Sequence, residues 1–181
     1  KNKDEILADL GVAREDLTEE KAVEVGNIFT LGTRFSENLN LYYADHDGSS
    51  KPVIMGCYGI GPSRLMGLLA EHFADERGLI WPEVIAPFRV YLVKLGQDEA
   101  VVKAADELYE QLTGAGVSVL YDDRDERAGE MLNDADLLGL PNRVVVSQKT
   151  QQVGAFELKT RKSTETKMAN REELVNTLVK P

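Results

Sequence analysis

The chain has 181 residues, 43% of them hydrophobic, enough for one or two domains with real cores. Its formal net charge of −10 argues against broad coating of nucleic acid, and its single cysteine, Cys57, excludes an internal disulfide and a cysteine-built zinc site. No apolar run approaches the ~20 residues that span a bilayer, and the first twenty residues are too charged for a secretory signal peptide, so a cytoplasmic protein with no membrane partner is expected.

A chain that begins at Lys1 rather than Met is expected to be part of something longer, or processed. Residues 1–21 are polar and helix-prone without a strong apolar stripe, and are read as a peripheral helix or a frayed leading segment. "EVGNIFTLGTRFSE" alternates apolar and polar around Gly26 and Gly32, as a strand and a bend do. "LNLYYAD" can continue as strand, "HDGSSKP" is a loop by composition, and "VIMGCYG" returns as a strand. The pattern predicts antiparallel strands followed by a helix over 62–77, with Pro62 in the first turn, where its missing N–H costs nothing. Leu65, Met66, Leu68, Leu69 and Phe73 share one broad face of that helix.

"GLIWPEVIAPF", with Pro82 and Pro87, reads as an interdomain linker. The rhythm then changes. "RVYLVKL", "VSVLYD" and "NRVVVS" are strands, separated by helices in "DEAVVKAADELYEQLTGAG" and "AGEMLNDADLLGLP". "AFELKTR" and "ETKMAN" read as a β-hairpin, and "NREELVNTLVK" as a closing helix with Asn170 at its N-cap. The βαβαβ order predicts a parallel sheet with right-handed crossovers, extended by a hairpin edge. Charge is uneven along the chain. Residues 143–171 hold seven basic side chains and only two acids, which either form a solvated strand face or touch a polyanion locally.

The glycine turn "GCYGIGPSR" invites three nucleotide readings. A phosphate loop, G-x-x-x-x-G-K-S/T, fails because Pro62 stands in place of the lysine, with no charge and no N–H to offer. A dinucleotide fingerprint, G-x-G-x-x-G, fails because Arg64 occupies the third glycine. The third reading makes the arginine the point. Gly59 and Gly61 let a flat ring or a phosphate approach the backbone, and Arg64 stacks on a base or binds a phosphate. A plain strand-to-helix turn with an exposed arginine remains the alternative.

These residues carry a resemblance. "GCYGIGPSR" resembles motif 3 of class II aminoacyl-tRNA synthetases, while "EVGNIFTLGTRFSE" and "DDRDERAGEMLNDADLLGLP" are similar to the bacterial-type prolyl-tRNA synthetases. The likeness runs over 23–181. It implies an α/β fold: part of the class II antiparallel sheet with its helix over 23–83, then an α/β anticodon-binding domain over 84–181. Residues 1–22 match nothing and are unassigned; they fall where the family often returns from an inserted editing domain. The implied reaction joins proline and ATP into prolyl-adenylate, then passes the prolyl group to the 3′ end of tRNA(Pro). The partners implied are proline, ATP with Mg2+, tRNA(Pro) and, for the whole enzyme, a second copy in a homodimer; no metal ligand is implied in this chain.

By the same resemblance, Arg64 is the catalytic arginine that lies against adenine and near the triphosphate, with Gly59 and Gly61 as the close-approach glycines. Glu24, Asn27 and Phe29 would line the proline pocket, with Cys57 on the neighbouring strand. Many family members have His where Asn27 stands; Asn still offers a donor and an acceptor. Cys57 can equally be a small buried hydrophobe. In the second domain, Asp123, Arg124, Glu126 and Arg127 would read the anticodon, the arginines holding phosphates or guanine edges and the acids accepting from base amino groups. Ion pairs that only order the helix start are the other reading of that loop. Ala128 stands where the family often has proline.

Motifs 1 and 2 cannot be placed here, so the chain is expected to be a C-terminal portion that makes no adenylate alone. Two alternatives remain open to the sequence: a non-catalytic tRNA-binding or regulatory module, and a sister synthetase for threonine or glycine.

Overall fold

A computed structural model describes residues 4–179. Residues 1–3 of the expected leading helix and Lys180 of the closing helix lie outside the described residues. Backbone packing divides the chain into two compact units, Lys1–Leu65 and Met66–Pro181.

The first unit opens with α1 (Asp4–Leu10) and a 3-10 turn at Arg14–Asp16, so the leading segment is helical only in part. Strand β1 (Gly26–Gly32), helix α2 (Arg34–Asn38), strands β2 (Tyr42–Ala44), β3 (Ser50–Pro52) and β4 (Met55–Ile60) follow. Helix α3 (Pro62–His72) starts here and continues into the second unit. β1 and β4 pair antiparallel, as the alternation predicts, from Gly26↔Ile60 to Gly32↔Met55. β2 and β3 form a small hairpin between them, closed by the Gly48 N–H donating to the Asp45 carbonyl at 2.8 Å.

Two expectations need correction. "RFSEN" is a helical turn, because Gly32 (φ +58°) redirects the chain and the Leu39 N–H reaches the Phe35 carbonyl at 2.9 Å. The strand expected through "LNLYYAD" therefore shrinks to Tyr42–Ala44.

Residues opposite each other in an antiparallel pair share a face, so Ile28 and Tyr58, which pair directly, sit on one side of the β1–β4 ribbon with Ile60. All three are bare, at 82%, 84% and 71% exposure. A contiguous apolar face of this kind marks a surface that another surface covers. The chain is accordingly expected to enhance the fluorescence of an apolar dye at neutral pH. An Ile28→Thr/Tyr58→Ser variant should lose most of that signal; an unchanged signal would show that the ribbon is already covered in solution.

The second unit is a three-layer α/β domain. After α3 come the hairpin strands β5 (Ala74–Asp75) and β6 (Gly78–Leu79), then β7 (Val90–Leu95), α4 (Glu99–Gly114) and β8 (Val119–Asp122). They are followed by α5 (Ala128–Leu138), β9 (Asn142–Ser147), α6 (Gln148–Gln152), β10 (Phe156–Thr160), β11 (Lys167–Ala169) and α7 (Arg171–Val179). The sheet order is β11-β10-β9-β7-β8, with β7, β8 and β9 parallel and the β10–β11 hairpin antiparallel at the edge, as expected from the sequence.

Right-handed crossovers running in opposite directions across the sheet, from β7 to β8 and from β8 back past β7 to β9, put α4 and α5 on opposite faces. Under α4 and α7 lie Val90, Leu92, Leu108, Leu112, Val144 and Leu174; under α5 lie Tyr91, Val93, Met131, Ala135 and Val145. Each such fully buried aliphatic side chain contributes about 1.5–3 kcal/mol. The closing helix is capped as expected: the Glu173 N–H donates to Asn170 Oδ1 at 3.0 Å, and the Asn170 N–H to Glu173 Oε2 at 3.2 Å.

The helix expected over 62–77 stops at His72. The Asp75 carboxylate accepts the N–H groups of Arg77 and Gly78 at 2.9 and 3.1 Å, and Gly78 at φ +142° closes the β5–β6 hairpin instead. The stretch expected as a linker is also docked: the Trp81 N–H donates to the Gly139 carbonyl at 3.0 Å, and the Trp81 ring packs under α5. Helix α6, unforeseen in the sequence, is a short turn held by a reciprocal Ser147–Thr150 cap.

Candidate functional site

Two clusters of predicted site residues sit in separate units. In the first, the β1–β4 register places Asn27 opposite Gly59 and Phe29 opposite Cys57. These four therefore share the face opposite the bare Ile28–Tyr58 side. Cys57 is half-buried and Phe29 is 48% exposed, so the face is open to a ligand. The Gly61 N–H meets the Val25 carbonyl at 3.5 Å, which ties the glycine turn to the segment carrying Glu24. Arg64, in the first turn of α3, donates from Nη1 to the Glu24 backbone carbonyl at 3.2 Å, and the same nitrogen is 3.7 Å from Glu24 Oε1. Both side chains are 60% exposed, so this pairing is weak and a ligand can displace it.

Gly59 is not required by the protein itself. Its φ is not positive, and a Cβ there would meet nothing within 4 Å. Its bareness leaves room above the strand and serves no internal packing.

In the second unit, the predicted loop leaves the carboxyl end of β8. Arg124 is not a free cation. Its Nε donates to Asp122 Oδ1 at 2.8 Å, and its Nη2 to Asp122 Oδ2 at 2.8 Å and Asp134 Oδ2 at 2.7 Å. Asp122 is 5% exposed and also accepts from the buried Tyr91 hydroxyl at 2.7 Å. The Arg124 guanidinium holds the Asp122 carboxyl below the usual carboxylate range, with burial opposing. Burial, then Asp122 itself, pushes the Tyr91 phenol above its ordinary value. Asp123, Glu126 and Arg127 are exposed, and Arg127 serves as the N-cap residue of α5 through its backbone. The Arg127 side chain has no partner among the described residues. A cleft of about 360 Å³ opens beside the cluster, lined by Tyr91, Asp122, Asp123, Arg124, Leu137 and Leu138 among others.

The basic stretch is less basic than it reads. Arg143 lies 3.7 Å from Asp136 and 3.9 Å from Glu157, Arg161 is buried against Asp75, and Arg171 pairs with Glu107 at 3.0 Å. Lys149, Lys162 and Lys167 remain on the surface, with Lys159 half-buried.

Known proteins resemble both units. The family model described as the anticodon binding domain matches residues 89–180, and that described as the tRNA synthetase class II core domain (G, H, P, S and T) matches 11–73. The chain belongs to the family of the anticodon binding domain, with a class II synthetase core segment ahead of it. Among relatives of this family, the proline–tRNA ligases of Geobacillus sp. (strain WCH70) and of Lactiplantibacillus plantarum are each 47% identical over 159 residues. Those matches take in 87% of this chain but 28% of each relative, so the chain spans little more than a quarter of their length. A solved Giardia lamblia prolyl-tRNA synthetase, in complex with prolyl-adenylate, shares the fold at a TM-score of 0.71 and 24% identity, over 84% of this chain and 33% of that one.

The residues that sequence reading passed over are Tyr91, Asp122 and Asp134. A signal for Asp122 existed. Alternation along "VLYD" puts it on the same face as Leu120, so an acid had to be buried where the strand ends. Nothing in the local sequence marks Tyr91 as its partner, because that pairing crosses between strands. Among the described residues no group of His, Cys, Asp and Glu is arranged to hold a metal. No helix among them is long and apolar enough to cross a membrane.

Proposed function

We propose that this chain carries motif 3 and the anticodon-binding domain of a proline–tRNA ligase. The whole enzyme joins the proline carboxylate to the α-phosphate of ATP, releasing pyrophosphate, and then moves the prolyl group to a hydroxyl at the 3′ end of tRNA(Pro), releasing AMP. The observation that carries this reading is the 47% identity to proline–tRNA ligases over 87% of the chain. The β1–β4 register supports it by setting Asn27, Phe29, Cys57 and Gly59 on one open face.

Arg64 is assigned to ATP. Displaced from Glu24, its guanidinium stacks on adenine or meets phosphate, where a fixed cation stabilises charge developing in the in-line attack. Gly59 and Gly61 admit the nucleotide, and Glu24, Asn27, Phe29 and Cys57 line the proline side. Mg2+ would accompany the ATP phosphates. The catalytic part is assigned to 23–83 and the anticodon domain to 84–181, a boundary between the two family matches, although 66–83 packs with the second unit. Residues 1–22 are unassigned. The ligase acts in the cytoplasm as a homodimer.

The test is a gel shift with tRNA species. Tight binding of tRNA(Pro) over tRNAs for threonine and glycine is expected, falling steeply with salt because phosphate contacts release counterions. Arg127→Ala should lower the salt slope by about 1. Preference for another tRNA would reassign the chain to a sister enzyme, and proline-dependent pyrophosphate exchange by this chain alone would overturn its assignment as a portion needing motif 2.

A further inference from the structure

The geometry around Arg124 raises a question of charge. An arginine near an RNA site is ordinarily a phosphate ligand, yet this one is bound by two carboxylates. Asp122, Arg124 and Asp134 together carry one positive and two negative charges, a net −1, and exposed Asp123 adds another negative charge beside them. A phosphate entering here would meet repulsion. The donors are also nearly spent. Of the five guanidinium hydrogens, the one on Nε and both on Nη2 are committed to carboxylates. What is left is the pair on Nη1 and the flat face of the group. The adjoining cleft sets Tyr91, Leu120, Tyr121, Leu137 and Leu138 beside the charged cluster, an apolar wall that suits a planar, uncharged ring.

Asp122 cannot be an incidental counter-ion. It is buried, it grips Arg124 through both oxygens, and the Tyr91 hydroxyl holds one of those oxygens from the core side. Arg127 lies three residues on, exposed and unpaired among the described residues.

We infer that Asp122 is a positioning residue for base recognition: with Asp134 it cancels the charge of Arg124 and holds it flat beside the cleft, so that Arg124 reads a nucleobase while Arg127 takes the phosphate backbone. This rests on the anticodon-binding reading above. It divides one loop into a neutral reader and a cationic anchor, and it excludes the bidentate fork onto guanine for Arg124, since that contact needs two free nitrogens.

The experiment uses the full chain and hairpin RNAs presenting a proline anticodon, with each anticodon guanine replaced by adenine in turn. Affinity is measured across a salt series. Wild type is expected to prefer the guanine hairpin by roughly 5- to 150-fold at one position, the usual cost of one wrong base in a specific site. Asp122→Asn frees Arg124 to find a phosphate: the preference should fall to within about 3-fold while the salt slope steepens by about 1, a change that mere loosening of the loop would not produce. Arg127→Ala should keep the preference and flatten the slope. Tyr91→Phe and Asp134→Asn, each removing one support, should show part of the Asp122→Asn effect and carry the test if Asp122→Asn fails to fold.

Wild-type discrimination retained in Asp122→Asn, or in both of the other two variants, overturns the inference and leaves the anticodon reading intact. So does binding by wild type without discrimination. No binding of any hairpin by wild type overturns both.

Discussion

Gly139→Ala is expected to destabilise the second unit by about 2–5 kcal/mol, lowering Tm by roughly 10–25 °C. Gly139 ends α5 in the left-handed region, at φ +68°, which by itself costs a non-glycine residue about 1–2 kcal/mol. The larger part is steric. A Cβ at Gly139 would overlap the Leu79 carbonyl of the β6 strand outright. The contact is reciprocal: Gly78, at φ +142°, would place a Cβ 2.7 Å from the carbonyl oxygens of Asp136 and Leu137. Two glycines thus let the β5–β6 hairpin and the end of α5 meet backbone to backbone. Gly154→Ala is the control, because Gly154 has φ +64° but nothing within 4 Å of an added Cβ. It should show the backbone cost alone. Gly78→Ala combined with Gly139→Ala should cost less than their sum, since either one already separates the hairpin. Equal thermal shifts for Gly139→Ala and Gly154→Ala would mean that the hairpin does not pack there.

That junction also marks where sequence reading ran out. The second unit was legible because its signals are local: Val101, Ala104, Ala105, Leu108 and Leu112 repeat at helical spacing, Gly139 stops α5, and "RVYLVKL", "VSVLYD" and "NRVVVS" are apolar runs of strand length. The family likeness of the glycine turn was legible too, because glycines, proline and arginine at fixed spacing lie within nine residues. What escaped is set by long-range pairing. The apolar helix face read through Phe73 gave no warning that Asp75 would leave the helix for a partner 86 residues away. The same holds at the loop after β8. Arg124 and Arg127 look alike in "DDRDERAG", yet one is locked by Asp122 and Asp134 and the other is not, a difference carried by the strand pairing that brings Tyr91 to Asp122.

Acid is expected to weaken the second unit chiefly through that distant partner. Asp75 receives Arg161 Nη1 at 2.9 Å and Nη2 at 2.6 Å, while Arg161 Nε donates to the Asp136 carbonyl at 3.0 Å. The Arg161 hydrogen bonds, then the Arg77 N–H, hold the Asp75 carboxyl far below its ordinary 3.8. A carboxylate whose folded value is depressed binds fewer protons in the folded state than in the unfolded one. Its contribution is therefore complete above about pH 4 and is lost as pH falls further towards the folded value. Urea midpoints measured from neutral pH to about pH 2 should decline below pH 4 in wild type, and Asp75→Asn should flatten part of that decline, Asp122 supplying another part in the same direction. At neutral pH the two single variants should differ. Arg161 is 4% exposed, so Asp75→Asn strands a buried cation; Asp75 is 34% exposed and keeps two backbone donors, so Arg161→Leu leaves a carboxylate that water can reach. Asp75→Asn should be the more damaging, and Asp75→Leu/Arg161→Leu, which removes both charges, should recover much of the loss. If Arg161→Leu were instead the worse of the two, the pair would be holding the hairpin by direct attraction rather than by sparing a buried guanidinium its isolation.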